Sequence, residues 1–190
     1  MVNNFVVLDI ETTGLSKHKH QITEIAALKI KNGKIIDKFE TLINPKVPIP
    51  RFITNLTGIN NELVKNSPSI DKILPDFLRF VNNLPIVAHN ASFDHGFISY
   101  NVLKYLNKEF NNQKICTKLL ANRLLPNLKS KKLSSLCEYF NLNNENAHRA
   151  MSDVKVTYQL FSEFINLLDQ KGISSEKDLL KYQKSKIQRN

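Results

Sequence analysis

Phe5-Val6-Val7-Leu8-Asp9-Ile10-Glu11 decides how this 190-residue chain is read. Its first four residues form a short continuous apolar run, the pattern of a strand buried on both faces at the centre of a sheet. The run ends on Asp9-x-Glu11, and residues two apart on a strand point to the same face. Two carboxylates therefore stand side by side at the end of a central strand. Such a pair beside a buried segment is costly unless a cation compensates it. No Lys or Arg occurs before Lys17. A metal ion would supply the missing charge.

Outward from this strand, Ile22 to Lys31 and Lys34 to Leu42 read as two more strands joined by Asn32-Gly33. Asn-Gly between strand-like runs signals a hairpin, because both turn positions want φ > 0. The chain thus opens with an antiparallel three-strand meander. Ser67-Pro68 is expected to start a helix, with Ile70, Ile73, Leu74, Phe77, Leu78 and Val81 on one apolar face and Pro75 inside it. Pro85 to Ala88 reads as a short buried strand. Phe93 to Leu106 reads as a helix with Phe97, Tyr100, Leu103 and Leu106 on a stripe. Lys114 to Cys116 is a further strand, and Leu119 to Leu125 and Leu133 to Phe140 are further helices. The last strong helix is expected to begin near Ala147, with Met151, Val154, Tyr158, Phe161, Ile165 and Leu168 at steps of 3, 4, 3, 4 and 3, and to stop near Gly172. The order β-β-β-α-β-α-β-α-α-α predicts an α/β fold, a mixed sheet of antiparallel meander plus parallel strands flanked by helices. Neither an internal repeat nor a domain-splitting linker is visible. The expectation is one domain over 1–170 and a polar, basic C-terminal tail over 171–190, mobile at its end.

Composition narrows the class. Hydrophobic residues are 42% of the chain, too many for a disordered protein. No apolar run approaches the ~20 residues of a membrane span, so no membrane partner is expected. The N-terminus lacks the basic region of a signal peptide. Two cysteines, Cys116 and Cys137, are too few for a zinc knuckle or a disulfide framework, and a cytoplasmic location is expected. The 27 Lys+Arg against 17 Asp+Glu leave a formal charge of +10, which favours a polyanionic partner such as nucleic acid. Lys114, Lys118, Arg123, Lys129, Lys131 and Lys132 fall in one stretch without an acid. That stretch reads equally as a backbone-binding patch or as a solvated basic face.

Two more polar clusters stand at the expected starts of helices. His89-Asn90-Ala91-Ser92-Phe93-Asp94 sits at a strand-to-helix junction, where Asp94 reads as a helix cap or as a third acid, and His89 as a hydrogen-bonded core histidine. In His148-Arg149-Ala150-Met151-Ser152-Asp153 the end residues are offset by ~140° on an ideal helix. They share a site only if His148 precedes the regular helix; otherwise this is a solvated helix start. Taken together, Asp9, Glu11, Asp94 and Asp153 form an all-oxygen set suited to Mg²⁺ or Mn²⁺ and sufficient for two ions. His148 is then the natural general base.

The segments Phe5–Leu15, Ile86–Asp94 and His148–Asp153 resemble, in order and spacing, the three motifs of the DEDDh 3′→5′ exonucleases, a group that includes proofreading subunits and modules of bacterial replicative polymerases. The resemblance implies a ribonuclease H-like fold and two ions. Asp9, Glu11 and Asp153 would hold the ion that carries the water, Asp9 would bridge to the second ion with Asp94 supporting it, and His148 would deprotonate the water. It also implies that Thr12, Gly14, Leu15, Asn90 and Phe93 meet the 3′-terminal nucleotide, and, by a looser match, Leu56 and Thr57. The expected partner is nucleic acid with a free 3′ end, DNA ahead of RNA, with a replicative polymerase as a second partner. Two alternatives stay open: an RNA or oligoribonucleotide exonuclease, and a non-catalytic nucleic-acid-binding module.

Overall fold

The computed structural model describes residues 2–187. Five strands form one sheet: β1 (Asn4–Thr12), β2 (Ile22–Lys31), β3 (Lys34–Leu42), β4 (Ile86–Ala88) and β5 (Lys114–Cys116), in the order β3-β2-β1-β4-β5. β1, β2 and β3 pair antiparallel, and β4 and β5 add in parallel to β1, giving the expected mixed sheet. The helices are α1 (Arg51–Thr57), α2 (Asn61–Val64), α3 (Ile70–Val81), α4 (Ser92–Leu106), α5 (Thr117–Leu124), α6 (Leu133–Phe140), α7 (Ala150–Gln170) and α8 (Glu176–Tyr182).

β1 is buried on both faces, and its side chains sort into two cores. Phe5 and Val7 join Ala26, Leu28, Val154, Leu160, Phe161 and Phe164 under α7. Val6, Leu8 and Ile10 join Leu74, Phe77, Phe97, Ile98 and Val102 under α3 and α4. Strand alternation puts Asp9 and Glu11 on the α7 side. The other acids then need only come from the helix starts at the same sheet end.

Several sequence expectations are corrected. Helix α3 begins at Ile70 with Ser69 as its extended N-cap, not at Ser67-Pro68. The Ser67 N–H is already bound to the Val64 carbonyl, and the Pro68 carbonyl accepts the Asn44 N–H, so both belong to the preceding turn. The buried face of α4 is Asp94, Phe97, Ile98, Asn101 and Val102; Leu103, placed on the stripe by its spacing, is exposed. α7 begins at Ala150 rather than near Ala147. Helices α1, α2 and α8 were not expected at all. α8 folds where a tail was anticipated: Leu179 is buried in the α7-side core, and Ser175 caps the helix by accepting the Asp178 N–H. Gln183 lies against the β5 edge, accepting the Cys116 N–H at 2.9 Å and donating to the Lys114 carbonyl at 2.8 Å. One side chain thus satisfies a sheet edge that would otherwise template further pairing. Residues 188–190, the end of the expected tail, lie outside the described residues. Among those described, no helix is long and apolar enough to cross a membrane.

Candidate active site

The carboxylates of Asp9, Glu11 and Asp153 offer one oxygen each within 4.8 Å of one another. β1 supplies the first two at its C-terminal end, and the first turn of α7 supplies the third. Asp94, in the first turn of α4, is buried and lies within electrostatic reach of Asp9. Its carboxylate accepts backbone hydrogen bonds from its own N–H and that of Ile10, but the N-cap of α4 is Ala91, without a side-chain cap bond, so the helix-cap reading of Asp94 is corrected to a first-turn acid in the cluster.

Charge in the cluster is only partly compensated by Arg149. Burial, then Asp94, Glu11, Asp153 and Glu24, push the Asp9 carboxyl well above the usual carboxylate range. Burial, then Asp153 and Glu24, raise Glu11 to about 8, against some relief from Arg149. Burial raises Asp94 to about 7, opposed by its two backbone donors. Asp153 is raised by burial too, opposed by hydrogen bonds from Asn144 and the His148 N–H. Converging acids that prefer protons when alone are what a divalent cation would stabilise, and an all-carboxylate donor set fits Mg²⁺ or Mn²⁺.

His148 stands outside the regular helix, as its place near Asp153 requires. Its side chain is exposed, its φ is +66°, and its N–H donates to Asp153 Oδ2 at 3.1 Å. The left-handed conformation of a β-carbon-bearing residue costs of order 1–2 kcal/mol and persists only where surrounding bonds enforce it. Asn144 adds one such bond, donating from Nδ2 to Asp153 Oδ1 at 2.6 Å while its Oδ1 accepts from Ser152 Oγ at 2.7 Å. His89, by contrast, is a core histidine: Nδ1 meets Thr117 Oγ1 at 2.9 Å, and burial and Lys118 lower it to about 4, leaving it neutral.

Beside the acids runs a largely apolar cleft of about 470 Å³ lined by Ile10, Glu11, Thr12, Gly14, Leu15, His20, Phe52, Ile53, Leu56, Thr57 and Phe93. It gathers six of the seven residues expected to meet a nucleotide. Leu15, Phe52 and Leu56 are 86%, 65% and 50% exposed there, an unusual concentration of solvent-facing apolar groups. The seventh, Asn90, is not on the cleft wall. It is exposed, with φ 69°, and its carbonyl accepts the Phe93 N–H as the chain turns into α4. Two cleft hydroxyls are committed internally: Thr12 Oγ1 donates to the Gly14 carbonyl at 2.7 Å, and Thr57 Oγ1 donates to the Ile53 carbonyl at 2.9 Å. Gly14 has a packing reason for its missing side chain, since a Cβ there would stand 2.6 Å from the His20 ring.

Glu24, Asn144 and Phe52 were missed in the sequence. Glu24 is 1% exposed on β2, directly opposite Glu11. Its carboxylate binds Arg149 Nη2 at 2.8 Å, Arg149 Nε at 3.3 Å and the Ala150 N–H at 3.0 Å. A charged residue just before the apolar run Ile25–Leu28 of a strand was the available signal.

With this geometry in view, the family model described as Exonuclease matches residues 6–161. The PolC-type DNA polymerase III of Caldanaerobacter subterraneus subsp. tengcongensis is 45% identical over 175 residues, which are 92% of this chain and 12% of that protein; the chain thus spans about an eighth of that relative. The DNA polymerase III subunit epsilon of Aquifex aeolicus is 36% identical over 184 residues, 96% of this chain and 91% of that one. Among solved structures, Exonuclease X in complex with 5′-overhanging duplex DNA superposes with a TM-score of 0.73 and 27% identity, covering 94% of this chain and 99% of that one.

Proposed function

The chain belongs to the exonuclease family, and we propose that it is a 3′→5′ exonuclease that hydrolyses DNA from its 3′ end and releases nucleoside 5′-monophosphates. The observation that carries this reading is the meeting of three carboxylates within 4.8 Å beside an open apolar cleft. Asp9, Glu11 and Asp153, with Asp94 beside Asp9, would hold two Mg²⁺ or Mn²⁺ ions. When bound, such a pair neutralises charge at the scissile phosphate and makes a water nucleophilic near neutral pH. His148, exposed over Asp153 and outside the helix, accepts the proton of the attacking water. Leu15, Phe52 and Leu56 present apolar surfaces on which a terminal base stacks, and the cleft wall holds it in place.

DNA as substrate rests on the relatives, two named as DNA polymerase III proteins and one solved with duplex DNA. A proofreading role beside a cytoplasmic replicative polymerase, and that polymerase as partner, follow from the same relatives. The test uses single-stranded DNA, mismatched duplex DNA and RNA of matched sequence, each labelled at the 3′ or the 5′ end, with Mg²⁺ or Mn²⁺. Immediate release of 3′ label as mononucleotide from DNA, with a 5′-labelled ladder shortening stepwise, is expected. Internal cuts, or binding without hydrolysis, contradict the proposal; faster trimming of RNA replaces DNA as its substrate.

A further inference from the structure

Glu24 faces Glu11 across the β1–β2 ladder, and directly opposed side chains share one face of a sheet. Two like charges in that position repel, and Glu24 is among the groups that raise Glu11. Glu24 is nevertheless almost wholly buried, and among the described residues its carboxylate is bound by the two residues after His148. Arg149 grips both oxygens from Nε and Nη2, and the Ala150 N–H, at the start of α7, binds Oε2. The guanidinium held in this way is also the cation that opposes the rise at Glu11. Asp153 stands three residues beyond Ala150, and His148, in its left-handed conformation, stands one residue before Arg149.

We propose that Glu24 is a positioning residue: its clamp on Arg149 and Ala150 ties the His148–Asp153 segment to the strand pair that carries Asp9 and Glu11. This rests on the exonuclease reading above. Glu24 touches neither substrate nor reacting atoms. It sets where His148 stands relative to the acids, so its loss lowers turnover and leaves binding of the DNA end largely intact.

Two variants test this. Glu24→Gln keeps the shape but turns one acceptor oxygen into an N–H₂ group facing donors. Arg149→Lys changes a side chain 42% exposed, which the fold tolerates, and one ammonium does not bridge both oxygens as the planar fork does. Each is expected to lower kcat about 10- to 100-fold, the usual cost of losing an outer support of a metal site. KM for single-stranded DNA should stay within about twofold, since the cleft is untouched. Independently of activity, amide hydrogen exchange of the metal-free protein should quicken about tenfold at residues 148–153 and stay unchanged in β1 and in residues 156–168. Unaltered exchange at 148–153 in folded variants overturns the proposal. So does a lower melting temperature with unchanged kcat, which makes the pair scaffold only, and so does a raised KM at unchanged kcat, which makes Arg149 a substrate contact. If Glu24→Gln does not fold, Arg149→Lys decides alone. Should the wild type release no mononucleotide, the exonuclease reading falls, while the exchange comparison still judges the clamp.

Discussion

His148 carries the most specific residue-level claim. As general base it must be neutral, and His148→Ala is expected to slow single-turnover hydrolysis by about 10²–10⁴ while leaving Mn²⁺ and DNA binding in place. Near-wild-type rates would make it structural. Asp9 behaves differently because its ionised form is disfavoured in the fold. Asp9→Asn is expected to abolish activity at every pH and to leave the metal-free melting temperature unchanged or higher, which calorimetry reads directly. The gathering of Asp9, Glu11, Asp94 and Asp153 at one sheet end was legible because each stands at the end of a strand or in the first turn of a helix; His148 was singled out by its place five residues before Asp153, and its role as base is the reading proposed above. Glu24 and Asn144 were not legible, because their importance lies in contacts across 125 and 9 residues that no local pattern encodes. Phe52 was hidden in a proline-flanked segment without visible periodicity. Thr12 and Thr57 both line the cleft, as the nucleotide-contact expectation requires, while their hydroxyls bond the Gly14 and Ile53 carbonyls.

At the scale of elements, short apolar runs and the Asn32-Gly33 hairpin signal located the five strands, and the period-3.6 stripe located the longer helices, which bury one face against the sheet. The short helices α1, α2 and α8 escaped, because seven or fewer residues complete too few turns to show a stripe. The basic tail escaped for a second reason: its docking rests on a few scattered contacts, chiefly buried Leu179 with Leu180 and Tyr182 beside it and the Gln183 side chain on β5. Gln183→Ala strands a buried N–H and a carbonyl on β5, each worth about 1–3 kcal/mol when left unmade. A loss of unfolding free energy of that order, seen as a lower denaturation midpoint, with catalysis on short DNA unchanged, is expected. An unchanged midpoint would mean the edge finds water instead. Arg123 belongs to the same device, since its guanidinium binds the Ser185 and Leu119 carbonyls while keeping its charge. Lys131 likewise reaches the Leu128 carbonyl. Lys114, Lys118, Lys129 and Lys132 remain exposed. Neutralising Lys118, Lys129 and Lys132 together is expected to flatten the salt dependence of single-strand binding by about 0.7 per lost phosphate contact. An unchanged slope makes them a solvated face.

The whole molecule sets a cluster of acids inside a chain of net charge +10. The lysines attract a polyanion, and the acids await cations. That arrangement has a pH signature. With Glu11 raised to about 8 and Asp94 to about 7, the folded metal-free protein binds more protons than the unfolded chain between roughly pH 4 and 8. Stability without metal should therefore fall as pH rises through that window, and Mg²⁺ or Mn²⁺ should flatten the decline. Melting temperatures at several pH values, with and without ion, check this. The central claim is that these four carboxylates hold the ions on which 3′-end hydrolysis depends. It is tested most directly by titrating Mn²⁺ into metal-free wild type and Asp9→Asn at pH 8 while following mononucleotide release from single-stranded DNA in the same samples. About two ions bound per wild-type chain, hydrolysis rising with their occupancy, and loss of both in Asp9→Asn are expected. Undiminished hydrolysis after exhaustive chelation, or Mn²⁺ binding that survives Asp9→Asn unchanged, would contradict it.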